Sequence, residues 1–160
     1  MLSLRRILFP TDFGPQAEHA QLFAVELAQK FESELHLLHV IVPMSLPAIG
    51  VPDMGYFEDP TLITELEQSS LHALENMLPA EFQAHHQVVK AIRTGTPVEQ
   101  IVSYAAEQQI DLIVIGTVGR TGLEHLLLGS LAEHVVRKAH CPVLAVHPKD
   151  QIAEEVPASA

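Results

Sequence analysis

Apolar positions along this chain follow two alternating rhythms. Short, nearly unbroken apolar runs occupy 7–10 (ILFP), 34–42 (ELHLLHVIV), 88–93 (VVKAIR), 111–115 (DLIVI) and 141–146 (CPVLAV). Each has the length of a strand, and DLIVI reads as a central parallel strand covered on both faces. Between these runs, apolar residues recur every three or four positions. Ala20, Phe23, Ala24, Leu27, Ala28 and Phe31 make one helical stripe over about 15–31, and Ile63, Leu66, Ser70, Leu74 and Met77 make another over 61–78. A third helix opens at Thr96-Pro97-Val98-Glu99, with Thr96 at N-cap, Pro97 at N1 and Glu99 at N3 of a capping box. It turns Val98, Ile101, Val102 and Ala105 inward. A fourth runs over 130–139.

Strand and helix in alternation predict an α/β fold with one doubly wound, five-stranded parallel sheet. If strands one and four are its central pair, as in the order 3-2-1-4-5, the winding reverses between them. The composition shows no break or internal repeat, so a single domain is expected over 1–147, followed by an acidic C-terminal tail over 148–160. The one long irregular connection, 43–60, is rich in Pro and Gly and leaves the sheet on the side where ligands bind. It is open to two readings: a flap over the ligand, or a passive surface loop or subunit contact.

Composition narrows the function. The chain has 160 residues, 48% apolar and 18% charged, enough for one well-filled core. A formal net charge of −11 argues against nucleic acid as a partner, because phosphate-backbone binding needs a basic face. The richest apolar window is broken by His39, Pro43, Pro47 and Pro52, so no membrane insertion is expected. The N-terminal apolar run stops at Pro10 and Asp12, too short for a signal peptide. With the single cysteine, Cys141, this predicts a cytoplasmic protein.

Candidate chemistry gathers at two loops. In open α/β sheets, ligands bind beyond the carboxyl ends of the strands where the winding reverses. Pro10-Thr11-Asp12 follows strand one. Strand four runs into Gly116–Ser130, which holds four of the chain's eight glycines. Gly116 and Gly119 would let backbone amides approach a phosphate, and Gly129-Ser130 opens a helix whose free N–H groups and positive dipole end favour an anion. Neither a P-loop nor a GxGxxG after the first strand is present.

The spacing Gly116-x2-Gly119-x9-Gly129-Ser130, followed by a helix and CPVLAV, resembles the universal stress protein family in its ATP-binding branch. The likeness extends over nearly the whole chain, from ILFPTDFGPQAEHA through LLHV to PVLAV. It implies a Rossmann-like fold of the adenine nucleotide alpha hydrolase type and ATP as ligand, with Mg²⁺ on the phosphates. By resemblance, Pro10, Thr11 and Asp12 line the adenosine end and Val40 offers its backbone to the adenine edge. Ile115, Gly116, Thr117 and Gly119 follow the ribose and phosphates with Arg120 nearby, and Gly129, Ser130 and Leu131 hold the terminal phosphates. It also implies a homodimer paired through strand 141–146. Two positions depart from the family pattern: Val118, where a histidine is common, and Ala132, where a hydroxyl is common.

Simpler roles compete at several of these residues. Ser130-Leu131-Ala132-Glu133 is itself a capping box, and Asp12 before Gly-Pro suits turn chemistry. The ten histidines lack zinc spacing, since His36 and His39 lie on opposite faces of one strand and His85 and His86 face apart. No nucleophile elbow or acid–base carboxylate pair appears, so no evolved catalytic activity is expected beyond slow ATP hydrolysis. The expected function is a nucleotide-dependent regulatory or stress-response protein acting on an unidentified regulated protein. The alternative is a dimeric interaction module of the same fold that binds no nucleotide.

Overall fold

The computed structural model describes residues 3–43, 60–117 and 129–148. The 43–60 connection and the middle of the glycine loop, including Gly119 and Arg120, therefore lie almost wholly outside the described residues. Five parallel strands form one sheet: β1 (Arg6–Pro10), β2 (Glu34–Ile41), β3 (Val88–Thr94), β4 (Leu112–Gly116) and β5 (Val143–Val146), in the order β3-β2-β1-β4-β5. The helices are α1 (Glu18–Phe31), α2 (Pro60–Met77), α3 (Ala80–His85), α4 (Pro97–Glu107) and α5 (Ser130–Lys138).

Side-chain alternation along the strands builds two cores. Ile7, Phe9, Leu35, Leu37, Leu112 and Val114 pack against Ala20, Ala24 and Ala28 of α1, Leu74 of α2 and Phe82 of α3. Leu8, Leu38, Ile113 and Ile115 pack on the other face against Ile101, Tyr104 and Ala105 of α4 and Ala132 and Val135 of α5. The three alanines of α1 let that helix lie close to the sheet, which explains why its larger apolar residues Leu22 and Phe23 remain exposed at 52% and 41%. Helices on both faces make the central strands apolar throughout.

Several sequence expectations change in detail. The first helix begins as a 3-10 turn over Pro15–Ala17, with Pro15 in its first turn and a bond from the Ala17 amide to the Gly14 carbonyl at 3.1 Å. α3 was not expected, since six residues are too few to show a helical period. Thr96 and Pro97 take the N-cap and N1 positions, but no side-chain capping bond forms, and Glu99 is exposed. In α2, Ser70 and Leu74 are buried while Leu66 stays 44% exposed, so only part of the apolar stripe reaches the core. β5 starts two residues later than expected because Pro142 has no amide to give to the ladder, although its carbonyl accepts from the Ile113 amide at 3.0 Å.

Candidate functional site

β1 and β4 lie side by side at the centre of the sheet, with Ile7 opposite Leu112 and Leu8 opposite Ile113. From β1 the chain winds outward through β2 to β3, and then crosses to β4 on the other side of β1. The carboxyl ends of this central pair are the topological switch point.

On the β1 bank, Pro10 is buried and pairs with Leu38 of β2, and the Thr11 amide continues the ladder by donating to the Leu38 carbonyl at 2.9 Å. The turn that follows is held by its own side chains. Thr11 Oγ1 accepts from the Phe13 amide at 3.0 Å, and Asp12 Oδ1 accepts from the Gly14 amide at 2.8 Å. Between these two bonds Phe13 adopts φ 62°, the left-handed conformation such local bonds can hold. His39 braces the turn from β2: its Nδ1–H donates to the Thr11 carbonyl at 2.8 Å and its ring lies 4.5 Å from that of Phe13. Val40, half-buried beside it, packs on the α4–α5 face. Asp12 therefore has the turn role that its sequence context suggested, and one of its carboxylate oxygens shapes the loop.

On the β4 bank, Ile115 is buried and Gly116 pairs with Val146 of β5. Thr117, 1% exposed, donates its amide to the Val146 carbonyl at 3.0 Å. Its carbonyl accepts from the Gly129 amide at 2.7 Å, so the two ends of the glycine loop meet. Gly129, not Ser130, is the N-cap of α5; Ser130 is the first helical residue and no side-chain capping bond forms. The first helical ladder bond is that of Glu133 to Gly129, which leaves the amides of Ser130, Leu131 and Ala132 outside the helix's own ladder. Glu133 does not reach back as a capping-box partner but pairs with Arg137 at 2.8 Å. The cap that competed with a ligand role for Ser130 is thus absent. Leu131 is 38% exposed, whereas Ala132 is 1% exposed and packs on the sheet. A hydroxyl at 132 would enter an apolar core, which gives that departure from the family pattern a packing reason.

Other residues singled out in the sequence fall elsewhere. His36 is buried on the α4 side, where its Nε2–H donates to the Glu34 carboxylate at 2.7 Å and its Nδ1 accepts from the Tyr104 hydroxyl at 2.8 Å. Burial holds its pKa below the ordinary histidine value, against the pull of Glu34, and the ring is neutral. Cys141 is half-buried against the same core, and burial raises its thiol pKa. Sequence reasoning missed Phe13, His39 and His147 as parts of the switch point. The available signal was an aromatic or imidazole immediately beside each loop: TDF, LHV and VHP.

Geometry alone defines the class: a doubly wound α/β domain whose switch point joins a side-chain-braced turn to the N-terminus of a helix. Comparison with known proteins identifies the family. The sequence profile of the universal stress protein family matches residues 3–147. Universal stress protein MJ0531 of Methanocaldococcus jannaschii is 37% identical over 143 residues, covering 89% of this chain and 81% of its own. The solved structure of MJ0577 from the same organism is 32% identical, covers 91% of this chain and 96% of its own, and superposes with a TM-score of 0.71. Universal stress protein UspA from Lactobacillus plantarum is 28% identical with a TM-score of 0.73, covering 92% of this chain and all of its own. The chain belongs to the universal stress protein family.

Two solved structures that share the fold at lower identity are complexes with nucleotides. One is a universal stress protein with cAMP (21% identity, TM-score 0.63, 92% of this chain and 99% of that one). The other is the Archaeoglobus fulgidus protein with dAMP (20% identity, TM-score 0.54, 91% and 98%).

Proposed function

We propose that this protein binds ATP at the β1–β4 switch point and acts as a nucleotide-dependent regulatory protein in a stress response. One observation carries the reading: the Thr117 carbonyl and Gly129 amide join at 2.7 Å. This sets Gly116 and the amides at the α5 N-terminus beside one another at the carboxyl end of β4, whose pairing with β1 brings the strand that leads into Thr11 and Asp12 alongside. Open amides and the helix dipole favour phosphate there, and Arg137 and Lys138 at the far end of α5 complement the same dipole. Pro10, Thr11, Asp12 and Val40 form the adenosine end in this reading. Ile115, Gly116, Thr117, Gly119 and Arg120 follow the ribose and phosphates, and Gly129, Ser130 and Leu131 meet the terminal phosphates. The cAMP and dAMP complexes of fold relatives support an adenine nucleotide as the ligand class.

Mg²⁺ enters with the nucleotide in this proposal. No group of three or more His, Cys, Asp or Glu side chains within metal-holding reach occurs among the described residues, so the ion would be held chiefly by phosphate oxygens. The domain would span 1–147 with 148–160 as a tail, and the protein would work in the cytoplasm as a homodimer. β5 lies at the sheet edge, where a second copy would pair with it.

The test is calorimetric titration of wild type, Gly116→Val and Ser130→Ala with Mg-ATP. Wild-type binding that is lost in Gly116→Val and weakened in Ser130→Ala is expected. Undiminished binding by Gly116→Val would refute the assignment of the site. No binding by any of the three proteins would leave the alternative of a dimeric interaction module that takes no nucleotide.

A further inference from the structure

His147, the residue after β5, makes two contacts that the glycine-loop pattern does not include. Its Nδ1 lies 3.0 Å from Thr117 Oγ1, and its carbonyl accepts from His19 Nδ1–H of α1 at 2.7 Å. Thr117 gives its three polar groups to the end of β5 and to the start of α5. Its amide bonds the end of β5 at Val146, its carbonyl bonds the N-cap of α5 at Gly129, and its hydroxyl bonds His147. The first two are backbone bonds that almost any residue pair could make. The third depends on side-chain identity at both positions, and it closes on a hydroxyl that is itself buried.

We propose that His147 is a positioning residue for the nucleotide phosphates. With Thr117 it forms a clasp between the ends of β4 and β5, and through the Thr117 carbonyl it holds the start of α5. This deepens the nucleotide reading above and rests on it. An anion site made of backbone amides works only while those amides point at one place, and a loose site must be ordered at the moment of binding. Removing the imidazole leaves the buried Thr117 hydroxyl without its partner and frees the side chain to turn away. His19 tethers the other side of the clasp, holding the backbone at 147 against α1.

Two substitutions at 147 and two at 117 test this. His147→Asn puts an amide close to where Nδ1 sits, and Thr117→Ser keeps the hydroxyl. His147→Leu and Thr117→Val remove one polar partner each with little change in bulk. Amide hydrogen exchange in the nucleotide-free proteins reads the clasp directly at Gly129. The Thr11 amide on the opposite bank serves as internal reference. Exchange at Gly129 is expected to quicken about tenfold in His147→Leu and Thr117→Val, the scale of one lost hydrogen bond. It should stay at the wild-type rate in His147→Asn and Thr117→Ser, with Thr11 unchanged in all four. Mg-ATP affinity should follow the same split, about tenfold weaker in the first pair and restored in the second.

Gly129 exchange in His147→Leu that matches wild type overturns the clasp. Quickened exchange with unchanged Mg-ATP affinity overturns the positioning role. A wild type that takes up no Mg-ATP sinks the nucleotide reading and the positioning role with it. Gly129 exchange separates that outcome from failure of the clasp itself.

Discussion

Tyr104→Phe isolates one buried polar contact. Tyr104 is 4% exposed, and its hydroxyl donates to Nδ1 of His36, itself 1% exposed. The substitution keeps the ring, its packing on the α4-side core and its edge-on approach to the imidazole at 5.7 Å. What it removes is the donor to Nδ1, since Nε2 is already engaged with Glu34. A buried acceptor left without a donor costs about 1–3 kcal/mol. In a chain of this size each kcal/mol moves the melting midpoint by about 2–4 °C. Thermal unfolding followed by circular dichroism at pH 8 should therefore show a drop of several degrees. The companion variant His36→Leu/Tyr104→Phe makes both partners apolar and should lose less than the sum of the two single variants. Glu34 then keeps Arg6 at 3.4 Å and remains partly open to solvent. An unchanged midpoint in Tyr104→Phe, or strict additivity in the pair, would refute this account of the buried contact.

Other expectations follow from the same geometry. Because burial lowers the His36 pKa in the fold, the unfolded chain binds the extra proton first. The contribution of His36 to stability is then complete above about pH 6.5 and is lost as pH falls through its folded value. Urea midpoints from pH 8 down to pH 5 should decline in wild type and decline less in His36→Leu. Ser130→Ala should leave thermal stability within about 0.5 kcal/mol of wild type, since Gly129 is the N-cap and the hydroxyl makes no capping bond. A loss of about 1 kcal/mol or more, the usual value of a Ser cap, would show that the hydroxyl caps in solution. Phe9→Ala removes a fully buried ring at the centre of the sheet and should cost about 3–5 kcal/mol in urea unfolding.

The fold was legible because β-forming runs and helical stripes alternate along the chain, and DLIVI has the length and β-branched content of a covered strand. What escaped were features with no period. α3 is six residues long, and the 3-10 turn before α1 is three. The site was legible where it consists of backbone. Glycine spacing marks close approach, and Gly116 and Gly129 do flank a joined loop. It was less legible where side chains from distant strands meet. Ser130-Leu131-Ala132-Glu133 satisfies the capping-box spacing, but helix entry falls one residue earlier, so no local pattern could decide its role. The imidazoles of LHV and VHP stand beside the loops in sequence, but the partners they brace, Thr11 and Thr117, lie 28 and 30 residues away, so the pairing itself was not legible.

The central claim is that a nucleotide occupies the switch point. It is tested most directly by mass spectrometry of small molecules released on denaturing the freshly purified protein, with Gly119→Val prepared in parallel. Release of ATP or ADP from wild type and not from the variant is the predicted result, and would assign the ligand to the glycine loop. Neither nucleotide from wild type, together with no binding on titration with Mg-ATP, would contradict the claim and leave the glycines as turn chemistry.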